Sequence, residues 1–195
     1  MTNSSTCNNY INQLNDLRSI IIETNSKSVD QNPDPFFIDN VNFFTKSFHI
    51  NLCAHLESFL KDISFKYITQ VEDKLKTTRI PHNLILWSFN KDKRLKDNEL
   101  KFNDLSLGIK KKDLDDHISG SPYRTIDLFK KIGVDLESNV RFVGKKDKIN
   151  SLVVKRNKIL HYNDDASDIS FEDIESNIDE VIEYMEIIDS ILNTT

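Results

Sequence analysis

The chain has 195 residues, 38% hydrophobic and 29% charged, so it holds enough apolar material for one sizeable core under a solvated surface. Its 4 Gly and 4 Pro cannot supply the turn every roughly 8–12 residues that an all-β sandwich or barrel needs, whereas long helices need few. The formal net charge of -5 argues against a chain built throughout to coat nucleic acid.

Residues 1–8 are rich in Asn, Ser and Thr and read as a frayed terminus. They carry neither the basic nor the apolar region of a secretory signal. Tyr10, Leu14, Leu17, Ile21 and Ile22 then recur at helical spacing and predict a first helix to about Glu23. Residues 24–35 form a polar connector, and Pro35 suits the first turn of the next helix. That helix is the longest. Val41, Phe44, Phe48, Leu52, Leu56, Phe59 and Ile63 step by three or four, and the run reaches about Leu75. Cys53 sits within it as a small buried thiol, with no CxxC partner for it or for Cys7.

The stretch 77–118 is less regular, with Leu84, Ile85, Leu86, Trp87 and Phe89 as a compact apolar cluster behind Pro81. A short helix starts at Ser121-Pro122 and stops at Gly133. Another runs from Lys145 to about His161, with Ile149, Leu152, Val153, Arg156 and Leu160 on its apolar side. Ser170 and Asp173 form a capping box with Asp in place of the usual Glu or Gln. The last helix follows, with Ile174, Ile178, Val181, Met185, Ile188 and Leu192 as a stripe that wants a neighbouring helix, in its own subunit or a partner. The reading is one all-α domain over 1–195, an up–down helix pair elaborated by an insertion at 77–135. No apolar run approaches the roughly 20 residues that span a bilayer, so no membrane partner is expected and a cytoplasmic location is the default.

Chemistry concentrates in the helix that ends at His161. Between Lys145 and Lys158, Lys145, Lys146, Lys148, Lys155, Arg156 and Lys158 stand against a single acid, Asp147, while the last helix is acidic throughout. Pairing of the two solvated faces accounts for part of this charge. It does not account for Arg156 among apolar neighbours, where a charge is costly unless it is paired or faces a working cleft. Asn157 and His161 are four apart and share a face; Arg156 lies about 100° around from Asn157. An imidazole can move a proton near neutral pH, and a guanidinium can grip a phosphate and stabilise developing charge. Tyr162 reads as a helix-end packing residue, and His161, taken alone, as a histidine favoured by the helix dipole.

The segment VVKRNKILHY, followed by the acid-rich final helix, resembles the HEPN superfamily, whose signature is Arg, a polar residue, three to five further positions, then His. The segment LCAHLESFLKDI, centred on Glu57, is similar to the corresponding helix of the RiboL-PSP branch and of stand-alone HEPN-like nucleases. The resemblance covers roughly residues 36–192 and implies an HEPN-type helical bundle. It also implies a metal-independent endoribonuclease with no cofactor, in which the RNA 2'-hydroxyl attacks the adjacent phosphate. His161 would be the general base or acid, Arg156 the phosphate clamp and Asn157 the residue that positions one of them. Glu57 would orient Arg156 or His161, although pairing with Lys61 four residues on is an equal alternative. Lys155, Lys158 and Lys148 would bind RNA. The resemblance further implies a homodimer with a composite active site and a role as a toxin or anti-phage RNase, with an antitoxin or defence-system partner. A non-catalytic helical dimerisation or interaction module, built on the Ile174–Leu192 stripe, is the alternative. Nucleotide binding or transfer is a third and weaker one, since the chain has no Gly-rich phosphate loop.

Overall fold

A computed structural model describes residues 2–162 and 164–194, and every regular element among them is helical. The helices are α1 (Ser5–Val29), α2 (Pro35–Asp39), α3 (Val41–Thr78), α4 (His82–Phe89), α5 (Pro122–Lys131), α6 (Val140–Tyr162) and α7 (Phe171–Thr194), with 3-10 turns at Asp97–Glu99 and Lys111–His117.

The expectation of a frayed terminus over 1–8 is corrected for residues 4–8, which are the cap and first turn of α1; residue 1 lies outside the described residues. Ser4 caps α1 through its hydroxyl, which accepts from the Cys7 amide at 3.2 Å. The same hydroxyl donates to Asp189 Oδ1 on α7 at 2.5 Å, and the Ser4 amide donates to Asp189 Oδ2 at 2.8 Å. A buried carboxylate across the bundle thus pins the first turn. At its other end α1 runs to Val29 rather than about Glu23. The hydroxyls of Ser26 and Ser28 bond back to the carbonyls of Glu23 and Asn25, which lets a polar turn stay helical on the surface.

Asp34 caps α2 with Pro35 at its first turn, and the chain breaks at Asn40 before α3 begins. Of the α3 stripe, Phe48, Leu52, Leu56, Phe59 and Ile63 are all buried and Phe44 is half-buried against them, whereas Val41, at the helix start, is exposed. The capping box of α7 is present, with the Asp173 amide donating to Ser170 Oγ at 3.0 Å and the Ser170 amide to Asp173 Oδ2 at 2.9 Å. Ile174, Ile178, Val181, Met185 and Ile188 are fully buried within the chain's own core. That fills the stripe from inside and removes it as a surface for a partner.

α1 lies antiparallel to α7, as the rungs Ser4–Asp189, Arg18–Asp179 and Asn25–Glu172 show. α1, α3 and α7 pack mutually, and α6 lies against both α3 and α7. Opposite charges do join α6 to α7: Lys145 pairs with Glu180 at 2.7 Å and Glu183 at 2.5 Å. α6 begins at Val140, five residues before the expected start, and Asn139 Oδ1 accepts from the Phe142 amide at 3.1 Å. Phe142 carries that extra turn into the core, stacked on Tyr184 with ring centroids 5.2 Å apart.

The inserted region divides in two. Its second half joins the core through Leu114, Ile126, Leu128, Phe129, Val134 and Leu136. Its first half does not. The predicted apolar cluster is α4, and Leu84, Trp87 and Phe89 on it are exposed.

Candidate active site on α6

The interface of α3 with α6 is polar at its centre. His49, Cys53 and Glu57 occupy successive turns of α3 and face Leu152, Val153 and Arg156 of α6. Their spacing of four places them in one row. His49 Nε2 donates to the Leu152 carbonyl at 2.9 Å, and the Cys53 thiol reaches the same carbonyl at 3.8 Å. Glu57 Oε1 accepts from Arg156 Nη2 in a short ion pair.

Glu57 therefore pairs across the interface, while Lys61 takes Asp115. Both members of the Glu57–Arg156 pair are mostly withdrawn from solvent, with side-chain exposures of 29% and 17%. That burial makes the pair strongly interdependent, because either charge alone in that position would be poorly solvated. Arg156 Nε is buried without a partner. Burial also pushes the Cys53 thiol up to about 12, against a partial downward pull from Arg156, so it stays protonated and acts as packing. His49 is held below its ordinary value, by burial first and by the Lys155 and Arg156 charges in addition.

A strap crosses this pair. Gly120, at φ +65°, is so close that a Cβ would meet Glu57 Cγ and Val153 Cγ2 at 3.3 Å. Only a residue without a side chain gives the backbone both that conformation and that approach. The strap leads directly into α5, with Pro122 at its first turn.

Asn157 and His161 lie elsewhere on α6. Both are exposed, one turn apart on the outward face. Arg156 and His161 are five positions apart and so are separated by roughly 140° around the helix. A single chain thus brings Arg156 to Glu57 and Asn157 beside His161, but does not close the two pairs into one pocket. A groove of about 540 Å³ between the C-terminal ends of α3 and α7 is lined by Gln70, Lys74 and Leu192 among others and is remote from both pairs.

Several neighbours differ from expectation. Leu160 is exposed, and Ile159 takes the buried position one turn beyond Arg156 and two beyond Leu152. Tyr162 is 82% exposed and packs no helix end. Lys155 turns back to hold Asp164 at 2.7 Å and also Asp168, bracing the α6–α7 loop. Lys148 and Lys158 are exposed. His49 was not singled out in the sequence, yet the row His49, Cys53, Glu57 was readable as polar residues in step with a buried stripe. Gly120 carried a weaker signal, the run Ser119-Gly120-Ser121-Pro122. No group of three His, Cys, Asp or Glu side chains suited to a metal ion occurs among the described residues.

An all-helical bundle with a basic helix carrying Arg-Asn-x-x-x-His, its arginine paired to a glutamate on the longest helix, defines an HEPN-type protein. The RiboL-PSP-HEPN family model matches residues 5–194, and the chain belongs to that family. Neither curated proteins nor solved structures provide a match. No helix among the described residues is long and apolar enough to cross a membrane.

Proposed function

We propose that this protein is a metal-independent endoribonuclease, acting as a growth-inhibiting toxin or anti-phage RNase in the cytoplasm. The observation that carries the reading is the state of the α6 motif. Arg156 is braced by Glu57 against α3, while Asn157 and His161 stand exposed together on the adjoining face.

In the reaction, the 2'-hydroxyl oxygen forms a bond to the neighbouring phosphorus and its proton passes to an imidazole. The P–O5' bond breaks, a proton is given to the departing O5', and the products are a 2',3'-cyclic phosphate and a 5'-hydroxyl. One His161 acts as base, and its symmetry mate in a second chain acts as acid. Arg156 holds the non-bridging oxygens and stabilises the charge that builds on them. Asn157, on the same face as His161, orients the imidazole or the phosphate.

A second copy supplies the wall that one chain lacks. Val143 and Val154, 46% and 43% exposed, lie on the α6 face that Asn157 and His161 continue. Apolar residues beside polar catalytic groups suit a two-fold contact that seals a shared cleft. Lys158 and Lys148 extend the phosphate-binding surface. Lys155 contributes field from its two-carboxylate clamp. An antitoxin or defence-system partner would hold the activity off by covering this face.

His161→Ala is the deciding variant, since an exposed side chain can be removed without disturbing the core. Cleavage of a mixed RNA substrate is expected to fall by about 10²–10⁴, with 5'-hydroxyl ends lost in parallel and the melting temperature unchanged. A variant that cleaves at the wild-type rate overturns the assignment. Val154→Glu should lower the solution mass and the activity together.

A further inference from the structure

Between Ile80 and Leu105 the chain leaves the bundle and returns to its starting point. The Leu105 amide donates to the Ile80 carbonyl at 2.7 Å, the His82 amide to the Asn103 carbonyl at 3.0 Å, and Pro81 and Asp104 form a bridge. The excursion is therefore a closed lobe on a two-stranded neck, at the C-terminal end of α3. It contributes no fully buried hydrophobic residue to the core.

Two features of the lobe coincide. Its large side chains point outward: Trp87 is 55% exposed, Phe89 83% and Phe102 94%. Leu84 and Trp87 lie three apart on α4 and are both exposed, so α4 offers that face to solvent, and Lys91 follows in the turn after the helix. Within the lobe five cations, Lys91, Lys93, Arg94, Lys96 and Lys101, stand against four acids, Asp92, Asp97, Glu99 and Asp104, and Arg79 adds a sixth cation just before the neck. All six are exposed, and none is in an ion pair among the described residues. The positive charge is concentrated between Lys91 and Lys96, where four cations stand against Asp92 alone, in a chain of net charge -5.

Exposed rings that flank a run of unpaired cations match the chemistry of a strand of unpaired nucleotides. Each base has a face that stacks on an aromatic ring, and the phosphates follow the cations. A protein-binding face would join its apolar residues into a continuous patch depleted of lysine. Phe102 also rims a groove of about 480 Å³ with Asn83, Lys101, Asn103 and Asp104, in which Asn83 Oδ1 accepts from the Lys101 amide and the Asn103 side-chain amide suits a base edge. We propose that this lobe binds single-stranded RNA through base stacking on Trp87, Phe89 and Phe102. The proposal deepens the ribonuclease reading by naming the form of RNA held. Glu57 and Thr78 lie roughly 30 Å apart along α3, so the lobe grips the strand at a distance from the Arg156 site.

Trp87 is the chain's single tryptophan, so its fluorescence reports directly on the lobe. The experiment titrates His161→Ala protein, which is expected to leave RNA uncut, with an unstructured oligouridylate and with a blunt RNA duplex. Trp87 emission should be quenched saturably by the oligouridylate and much less by the duplex, whose bases are already stacked. Phe89→Ala and Phe102→Ala should each weaken binding by about tenfold. Lys91→Gln, Lys93→Gln and Arg94→Gln combined should flatten the dependence of log affinity on log salt by about 2. Binding that leaves Trp87 emission constant overturns the proposal, as does equal affinity in the ring variants. Ring variants whose solution mass falls while RNA affinity holds would identify the lobe as a contact between copies instead. Because binding is read separately from cleavage, an inactive wild type that still shows the quench refutes the nuclease reading alone.

Discussion

Two regions of this chain carry clusters of positive charge, and they use it in opposite ways. On α6, Lys145, Lys146, Lys155 and Arg156 are each within reach of a carboxylate, on α7, on the loops beside it or on α3. Their charge fixes the position of the helix. On the lobe at 80–105 the cations are unpaired and the aromatics face solvent. The contrast teaches that a basic segment in the sequence need not be a binding surface. Most of the cations between Lys145 and Lys158 are consumed internally, leaving Lys148 and Lys158 for a partner, whereas the cations of the lobe are exposed and in no ion pair among the described residues.

Two phenylalanines test this division most sharply. Phe142→Ala removes a fully buried ring stacked on Tyr184, and should destabilise the fold by about 3–5 kcal/mol. Phe102→Ala should change stability by less than about 0.5 kcal/mol. Urea unfolding followed by circular dichroism measures both. Comparable losses in the two variants would mean that the lobe is part of the cooperative core.

The Glu57–Arg156 pair is next in size. Glu57→Gln leaves a mostly withdrawn guanidinium without its counter-charge and should cost about 1–3 kcal/mol, moderated by the partial exposure of both side chains. Arg156→Met in the same background should recover most of the loss, because the isolated charge is then gone. If the double variant is no more stable than Glu57→Gln, the pair is not coupled. Neutralising Lys93 on the lobe should by contrast leave stability unchanged.

The helical class, the α3 and α7 stripes, the α7 capping box and the family itself were legible in the sequence, because each rests on local periodicity or a short contiguous motif. Glu57 was legible as a carboxylate in the right helix, and only packing could choose Arg156 over Lys61 for it. Lys155 was misleading: nothing local marks a lysine whose partners are Asp164 and Asp168 across a loop. The Leu84–Phe89 cluster was legible as an apolar cluster, but composition does not say whether anything packs on it, and Leu84, Trp87 and Phe89 are exposed. His49 was legible only as a polar residue in step with the stripe and Gly120 only as part of a turn-like run, since their place beside the site lies in a close approach between distant elements.

Gly120→Ala should cost about 1–2 kcal/mol from the positive φ alone, and the 3.3 Å approach to Glu57 Cγ should disturb the ion pair as well. Gly108, also at positive φ but with nothing near its Cβ position, is the control. Gly108→Ala should show the backbone cost without any effect on the Glu57–Arg156 coupling measured in the double variants. Equal coupling in the two alanine variants would detach the strap from the site.

The smallest effect is a dependence on pH. His49 is neutral in the fold, with Nε2 donating to the Leu152 carbonyl and Nδ1 buried without a partner. Its folded value lies below the 6.5 of the free side chain, so below 6.5 the unfolded chain binds a proton that the folded chain refuses. Stability from this residue is present in full above that value and is lost as the pH falls beneath it toward the lowered folded value. One proton limits the slope to about 1.4 kcal/mol per pH unit. His49→Gln should remove this component of the slope while a carboxamide can still donate to Leu152. Urea midpoints across pH 5 to 8 would then diverge between the two proteins only on the acid side of 6.5. Parallel curves would mean that His49 is protonated in the fold, and that the interface in front of Arg156 admits a third charge.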